Sequence, residues 1–339
     1  MTETLAADVA IIGAGPAGLF SVFECGMLQL SAVVIDALGE AGGQCTALYP
    51  EKPIYDIPAI PAIEAGELIA QLERQIAPFA PRLLLGRRVE RLEGVAGAFT
   101  LGTDLGDTIA VRAVILAAGA GAFGPNRPPL DGLAAFEASG AVQYYVRRRE
   151  DLRGRRVVIA GGGDSAVDWA LALRGIAAAI ALVHRRAKFR AAPDSAAQLA
   201  AAAAAGEVEL IVPYQLHALH GAAGALAAVE VADLDGRTRH LPADVLLPFF
   251  GLSTDLGPIA QWGVALERHH VAVAPATCET SVPGGFAIGD VAHYPGKLKL
   301  ILQGFSEAAM AAHAIYPIAR PGTALHFEYS TAKGVPGAG

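Results

Sequence analysis

The chain has 339 residues, 53% hydrophobic and 17% charged, with 39 glycines. That length suits two or three domains at roughly 100–200 residues each, and the composition fits buried parallel strands with tight turns and excludes a disordered chain. A net charge of −7 disfavours nucleic acid as a partner, and no apolar stretch reaches the roughly 18 residues that would predict a membrane span.

At the N-terminus, Met1-Thr2-Glu3 leads to an apolar run by Val9 with no basic leader and no cleavable apolar core, so a cytoplasmic protein is expected. Residues 8–36 read as strand, turn, helix, strand. The turn is Gly13-Ala14-Gly15-Pro16-Ala17-Gly18, after Val9-Ala10-Ile11-Ile12. Pro16 sits just inside the start of a helix predicted over Ala17–Leu28, where its missing N–H costs nothing. Glycines at such a turn let the backbone approach a pyrophosphate seated on the helix N-terminus. About 20 residues beyond, the end of the next strand chooses the ribose partner. Here Val33-Val34-Ile35 runs into Asp36, an acceptor suited to a ribose diol. The motif alone does not separate FAD from NAD.

The segment Gly39–Pro61 holds Gly42-Gly43-Gln44-Cys45 and Tyr49-Pro50. It is long for a plain connection, as functional loops often are. Gln44 could hydrogen-bond a flavin edge, and Tyr49 and Tyr329 are the aromatics to place against the ring faces, where offset stacking is favourable. An amphipathic helix is predicted over Ile63–Phe79, a small antiparallel meander over 82–112, and a strand over Val111–Gly119. The run Gly119–Pro129 reads as a linker.

Residues 155–186 repeat the pattern of 8–36, an internal duplication of architecture. The second turn is Gly161-Gly162-Gly163-Asp164-Ser165-Ala166, after Val157-Val158-Ile159-Ala160, with Ala166 where a third glycine could stand. Its next strand, Ala181-Leu182-Val183, runs into His184-Arg185-Arg186, with Lys188 and Arg190 close behind. Those are cations where an acid would sit for NAD. Arginine forks match phosphate oxygens, so this site reads as one for a 2′-phosphate, hence NADP(H). One chain holding an adenine dinucleotide on Asp36 and NADPH on an arginine pair is most simply a flavoenzyme that passes hydride from NADPH to FAD. The basic run Arg147-Arg148-Arg149 with Arg153, Arg155 and Arg156 is a candidate patch for an acidic partner, but reads first as a solvated turn.

Ser195–Ala205 is predicted helical, 207–247 a second short meander, and Val245–Pro248 a strand. Phe249-Phe250-Gly251 returns the chain to the first domain. There Gly285–Asp290 reads as a strand ending in Gly-Asp, followed by a helix over Ile301–Tyr316. The tail after Pro317 has too many Pro and Gly for a helix. Asp290 could meet the ribityl chain of a flavin; alone it is an ordinary Gly-Asp turn. The expected domains are 1–120 with 250–339, and 121–249 inserted between them. No Ser-His-Asp order, metal-type Cys/His spacing or paired carboxylates appear, so no metal is expected. His269, His270 and His293 are read as loop residues without a role. Cys25, Cys45 and Cys278 form no Cys-x-x-Cys pair and fit a reducing compartment.

Together, the two glycine turns, Gly42-Gly43-Gln44, His184-Arg185-Arg186 and Gly289-Asp290 resemble the thioredoxin-reductase-like flavoproteins. Leu48-Tyr49-Pro50-Glu51-Lys52, Gly161–Ala170 and His184–Arg190 are narrower, and resemble the ferredoxin–NADP reductases of thioredoxin-reductase type. The resemblance spans almost the whole chain. It implies a three-layer α/β fold of two Rossmann-like domains, the second inserted in the first, in a homodimer. It also implies bound FAD, NADPH as donor, and ferredoxin or flavodoxin as acceptor. It places Gly13, Gly15, Pro16, Ala17, Gly18, Asp36, Gln44, Tyr49, Val89, Phe123, Asp290, Tyr329 and Thr331 around FAD. Gly161, Gly163, Asp164, Ser165, Ala166, His184, Arg185, Arg186 and Arg190 would hold NADPH.

Two departures stand out. Thioredoxin reductases keep a Cys-x-x-Cys pair before the second turn, whereas Phe136–Arg153 has no cysteine, so no thiol relay into a protein disulfide is possible. Asp36 also replaces the more usual glutamate. Linker composition and the resemblance suggest hinge rotation between the two domains. Two rival readings remain from the residues: an NADPH-dependent flavin oxidase or quinone reductase with a small-molecule acceptor, and a non-catalytic NADPH-sensing module.

Overall fold

The computed structural model describes residues 4–325 and Gly334. Val9–Ile12 (β1) leads into helix Pro16–Met27 (α1) and strand Ala32–Asp36 (β2). Helix Ala65–Ile76 (α2) then crosses over to strand Arg82–Leu85 (β3), which pairs parallel with β2. Strands Val89–Val95 (β4), Ala98–Thr103 (β5) and Thr108–Val111 (β6) form an antiparallel meander, and Ala113–Leu116 (β7) returns to the parallel sheet beside β1.

The chain then forms a second compact unit over residues 124–253. Its elements are Arg156–Ala160 (β8), Asp164–Ala172 (α3), Ala179–Val183 (β9), Pro193–Ala204 (α4) and Glu209–Ile211 (β10). The meander Gln215–Ala222 (β11), Ala225–Ala232 (β12) and Thr238–Pro242 (β13) follows, then Val245–Pro248 (β14). Gly285–Ala287 (β15) and helix Ile301–Ala319 (α5) belong to the first unit, which comprises residues 1–123 and 254–339.

The first unit's main sheet has the order β15-β7-β1-β2-β3 and is parallel throughout. Its strands β1 and β7 are apolar at every position because both faces are covered. Val9, Ile11, Val34, Ala113 and Ile115 pack against α1, α2 and α5. Ala10, Ile12, Val33, Ile35, Val114 and Leu116 pack toward the meander, against Phe99, Leu101 and Ile109. The second unit repeats the scheme with the parallel order β10-β9-β8-β14, and its meander buries Val229, Val231 and Leu241 against Val158, Ala160 and Val183. In each unit β1 or β8 has its successor on one side and a later strand on the other. Each glycine turn therefore lies at a topological switch point, where α/β sheets place ligands.

Several local expectations change. Arg82–Leu85 is not part of the meander but the exposed edge of the parallel sheet, reached by the α2 crossover. The Gly39–Pro61 segment contains a one-turn helix, Gln44–Ala47, and residues 63–64 are extended before α2 begins. Helix α5 runs through Pro317 to Ala319. A proline there removes one i→i−4 bond in the last turn, and Ile315 and Ala319 stay buried against the core. His270 and His293 sit on short strands that pair in parallel, rather than in loops. Among the described residues no helix is long and apolar enough to cross a membrane.

Candidate functional site

The three glycines of the first turn are required for different reasons. Gly13 has φ +112°, and a Cβ there would lie 2.3 Å from the Ala117 carbonyl oxygen. A Cβ on Gly18 would lie 1.9 Å from the Gly13 oxygen, so helix and strand could not close together. Gly15 has an ordinary φ of −70° and no protein atom within 4 Å of its missing Cβ. Neither conformation nor packing demands glycine at that position. What it keeps open is the space before the N-terminus of α1, where unpaired N–H groups favour a phosphate.

Asp36 ends β2 beside this turn. Its Oδ2 accepts the Ala14 N–H at 2.6 Å and its Oδ1 accepts the Leu38 N–H at 2.8 Å. Burial raises its pKa, opposed by these two backbone donors. The carboxylate therefore braces the turn, and each oxygen retains a lone pair for a further hydroxyl donor.

The Gly42-Gly43-Gln44 loop docks on the same turn. Gly42 N–H donates to Ala14 O at 2.8 Å, and a Cβ on Gly43, at φ +56°, would lie 3.2 Å from Gly15 Cα. The Gln44 amide nitrogen lies near Gly119, at the end of the β7 connection. Cys45 is buried, Tyr49 packs against the same core, and Asp290 is close enough to act electrostatically on both. Gly289 is 3.4 Å from the Ala17 Cβ, measured from its missing Cβ, which brings the Gly289-Asp290 turn against α1. Val89 is buried beside Ile12 and Ile35, and the preceding Arg87 N–H donates to Asp36 O at 2.9 Å. Residues 13–18, 36, 42–49, 89 and 289–290 are thus brought together. Phe123 lies on the short strand Ala122–Pro125, but its side chain, like Tyr329 and Thr331, lies outside the described residues.

The second turn has the same logic. Gly161 has φ +155° and would place a Cβ 2.6 Å from Phe249 O. Gly163, at φ −97°, has nothing within 4 Å and opens the N-terminus of α3. The basic loop folds back over it. Arg190 N–H donates to Gly162 O at 2.7 Å, and Ala192 N–H donates to Asp164 Oδ1 at 2.9 Å. Asp164 thus fastens the loop to the turn. Ala166 is fully buried and lies 3.0 Å from the missing Cβ of Gly161, so the absent third glycine leaves no gap.

His184 behaves differently from its arginine neighbours. Its ring lies 2.2 Å from the missing Cβ of Gly162 and stacks at 5.2 Å on Phe189. Burial lowers its pKa, with Arg190, Arg185 and Arg186 acting the same way, so the imidazole is neutral at physiological pH. Its Nε2 is buried without a partner. Arg185, Arg186 and Arg190 are exposed and form no ion pair among the described residues. In contrast, Arg148 pairs with Asp151, Arg153 with Glu150, and Arg156 with Asp244. The forks beside the second turn are thus open to an anion.

One group escaped the sequence reading. Glu307, on α5, is fully buried and accepts the Gly289 N–H at 2.7 Å and the Tyr294 hydroxyl at 2.6 Å. It also pairs with the ammonium of Lys297, whose side chain is 4% exposed, while Gln303 donates to the Tyr294 oxygen at 2.8 Å. The available signal was periodicity. Glu307 falls on the face of α5 defined by Gly304, Ala308, Ala311, Ala312 and Ile315, a charge in an otherwise apolar stripe.

Residues 7–314 match the family model of the pyridine nucleotide-disulphide oxidoreductases. The chain belongs to this family, in its ferredoxin–NADP reductase branch. It is 77% identical over 337 residues to the ferredoxin–NADP reductase of Acidiphilium cryptum, with 99% of each chain covered. It is 78% identical over 330 residues to that of Granulibacter bethesdensis, covering 97% of this chain and 94% of the relative. In fold it resembles thioredoxin reductase from Lactococcus lactis, with a TM-score of 0.80 at 22% identity over 92% of this chain and 99% of that one. The two ferredoxin–NADP reductases match over nearly the whole chain. Thioredoxin reductases share the architecture at low identity.

Proposed function

We propose that this chain is a ferredoxin–NADP reductase that draws electrons from NADPH through FAD to a ferredoxin-type protein. Two open glycine positions carry the reading. Gly15 and Gly163 each leave the N-terminus of a helix unobstructed at a switch point, one braced by a carboxylate and the other beside arginines that form no ion pair among the described residues. FAD fits the first set. Its pyrophosphate would lie over Gly15, its adenosine ribose beside Asp36, and its ribityl end beside Asp290, with Gln44 and Tyr49 near the ring. Tyr329 and Thr331 would complete the ring's surroundings. NADPH fits the second set, with the pyrophosphate over Gly163 and the 2′-phosphate on Arg185, Arg186 and Arg190. The first unit is then the FAD domain and the second the NADPH domain, joined by a hinge in a cytoplasmic homodimer.

Bound FAD supplies the conversion of a hydride into two singly transferred electrons, which nicotinamide does not readily make. The protein's part is placement. Asp36 and the docked Gly42-Gly43-Gln44 loop fix the first turn. Glu307 fixes the Gly289-Asp290 turn, and Asp164 fixes the arginine loop. Without a dithiol the chain has no route to a disulfide substrate. All three cysteines are buried, and burial pushes the Cys25 and Cys278 thiols up to about 12.

Anaerobic mixing tests the proposal. NADPH should bleach the flavin band, and oxidised ferredoxin or flavodoxin should restore it. Bleaching that neither protein reverses but oxygen or a quinone does would support a small-molecule acceptor instead.

A further inference from the structure

The β11–β13 sheet of the second unit carries a cluster that the dinucleotide sites do not use. Its inner face is apolar, with Leu226, Val229, Val231 and Leu241 buried. On the outer face Glu230 of β12 stands directly opposite His240 of β13. On β11 the register slips by one residue between Leu216 and Ala218, so His217 is the extra residue opposite Glu230. Such a bulge sets two residues against one and re-aims a side chain that regular pleating would send to the other face. His220, one diagonal step along β11, completes the group.

The donor atoms of His220, Glu230 and His240 converge, with His217 approaching Glu230 from the other side of the carboxylate. His220 Nε2 is 2.7 Å and His240 Nε2 is 3.6 Å from Glu230 Oε2, and His217 Nε2 is 3.9 Å from Glu230 Oε1. The rings of His220 and His240 are 4.7 Å apart. One ligand atom from each of His220, Glu230 and His240 lies within 4.8 Å of the others. Ligands of a tetrahedral zinc ion, each about 2.0–2.1 Å from the metal, sit about 3.3 Å from one another. The observed spacings straddle that value, and the three imidazoles are exposed enough to turn the remaining distance. Glu230 is 15% exposed, and its described partners are imidazoles alone, with no Lys or Arg. A shared divalent cation would neutralise the carboxylate that these imidazoles surround.

We propose that His217, His220 and His240 with Glu230 form a surface site for a divalent cation of the zinc class, spanning the three strands of this sheet. Nitrogen-rich donors with one carboxylate suit zinc, copper or nickel and disfavour magnesium and calcium. Such a site would cross-link β11 to β13 and stabilise the second unit by binding the folded state alone.

The test uses the full-length, flavin-loaded protein, freed of metal by chelator and titrated calorimetrically with zinc chloride. The expected result is about one zinc per chain at micromolar or tighter affinity. His240→Ala should weaken binding at least tenfold, and the double variant His220→Ala/His240→Ala should abolish it. Both variants should keep flavin reduction by NADPH, since these side chains touch neither glycine turn. X-ray absorption at the zinc edge should show nitrogen and oxygen neighbours only. Absence of submillimolar binding, binding unchanged in the double variant, or sulfur among the ligands would each overturn the proposal.

Discussion

Glu307 of α5 holds the backbone N–H of Gly289 at 2.7 Å across 18 residues of sequence. The same carboxylate takes the Lys297 ammonium and the Tyr294 hydroxyl, and burial with this bond pushes the Tyr294 phenol up. A fully buried charge thus fixes the turn that presents Asp290. Removing one member of a buried pair typically costs about 3–5 kcal/mol, because the other is left charged and unpaired. Glu307→Ala should therefore lower unfolding free energy by about that much in urea and release flavin more readily. Adding Lys297→Met should recover part of the loss. If the single and double variants unfold alike, the pair is not coupled.

Arg185 and Arg186 are open forks beside the second turn. Hydrogen bonds to charged groups contribute about 1.5–3 kcal/mol each, so Arg185→Ala/Arg186→Ala should raise KM for NADPH by roughly two orders of magnitude or more. KM for NADH should change little. Steady-state kinetics with both donors decides it, since equal effects would remove the 2′-phosphate assignment.

The three cysteines should be silent in the folded protein. Burial pushes Cys25 and Cys278 to about 12 and Cys45 to about 11, far above working pH, and the thiolate is the reactive form. An aromatic disulfide reagent at pH 8 should titrate essentially no thiol in the native protein and all of them in guanidinium. Rapid reaction of one native thiol would contradict the buried placement.

Asp244, just before β14, pairs with Arg156, the first residue of the neighbouring β8, and its carboxylate also accepts the Arg156 N–H at 2.8 Å. The Arg156 guanidinium holds the Asp244 carboxyl down at about 2, against the usual 3.8. A depressed carboxylate pKa contributes stability that is complete above the ordinary value and lost as pH falls through the folded one. The pair should therefore weaken between about pH 4 and pH 2. Thermal melts across that window should show a smaller acid sensitivity for Asp244→Asn than for the parent, and parallel curves would refute the coupling.

The sequence by itself determined both glycine turns, Asp36 and the arginine cluster, because each signal is local. The glycines stand at fixed offsets from an apolar strand, and the charges stand at the end of the next one, so both are read within about 30 residues. It also determined the missing dithiol and the duplicated strand–helix–strand units. The tertiary structure decided what depends on residues far apart in the chain. Arg82–Leu85 reads like its meander neighbours, and only the α2 crossover makes it a parallel edge strand. The Ala192 amide on Asp164 likewise joins residues 28 positions apart. Glu307 has no local signature except a charge in an apolar stripe, since its partners Gly289, Tyr294 and Lys297 reach it only through folding. The His217, His220, Glu230 and His240 group is invisible for the same reason. Strand pairing and one bulge, not sequence spacing, put those four side chains on one face.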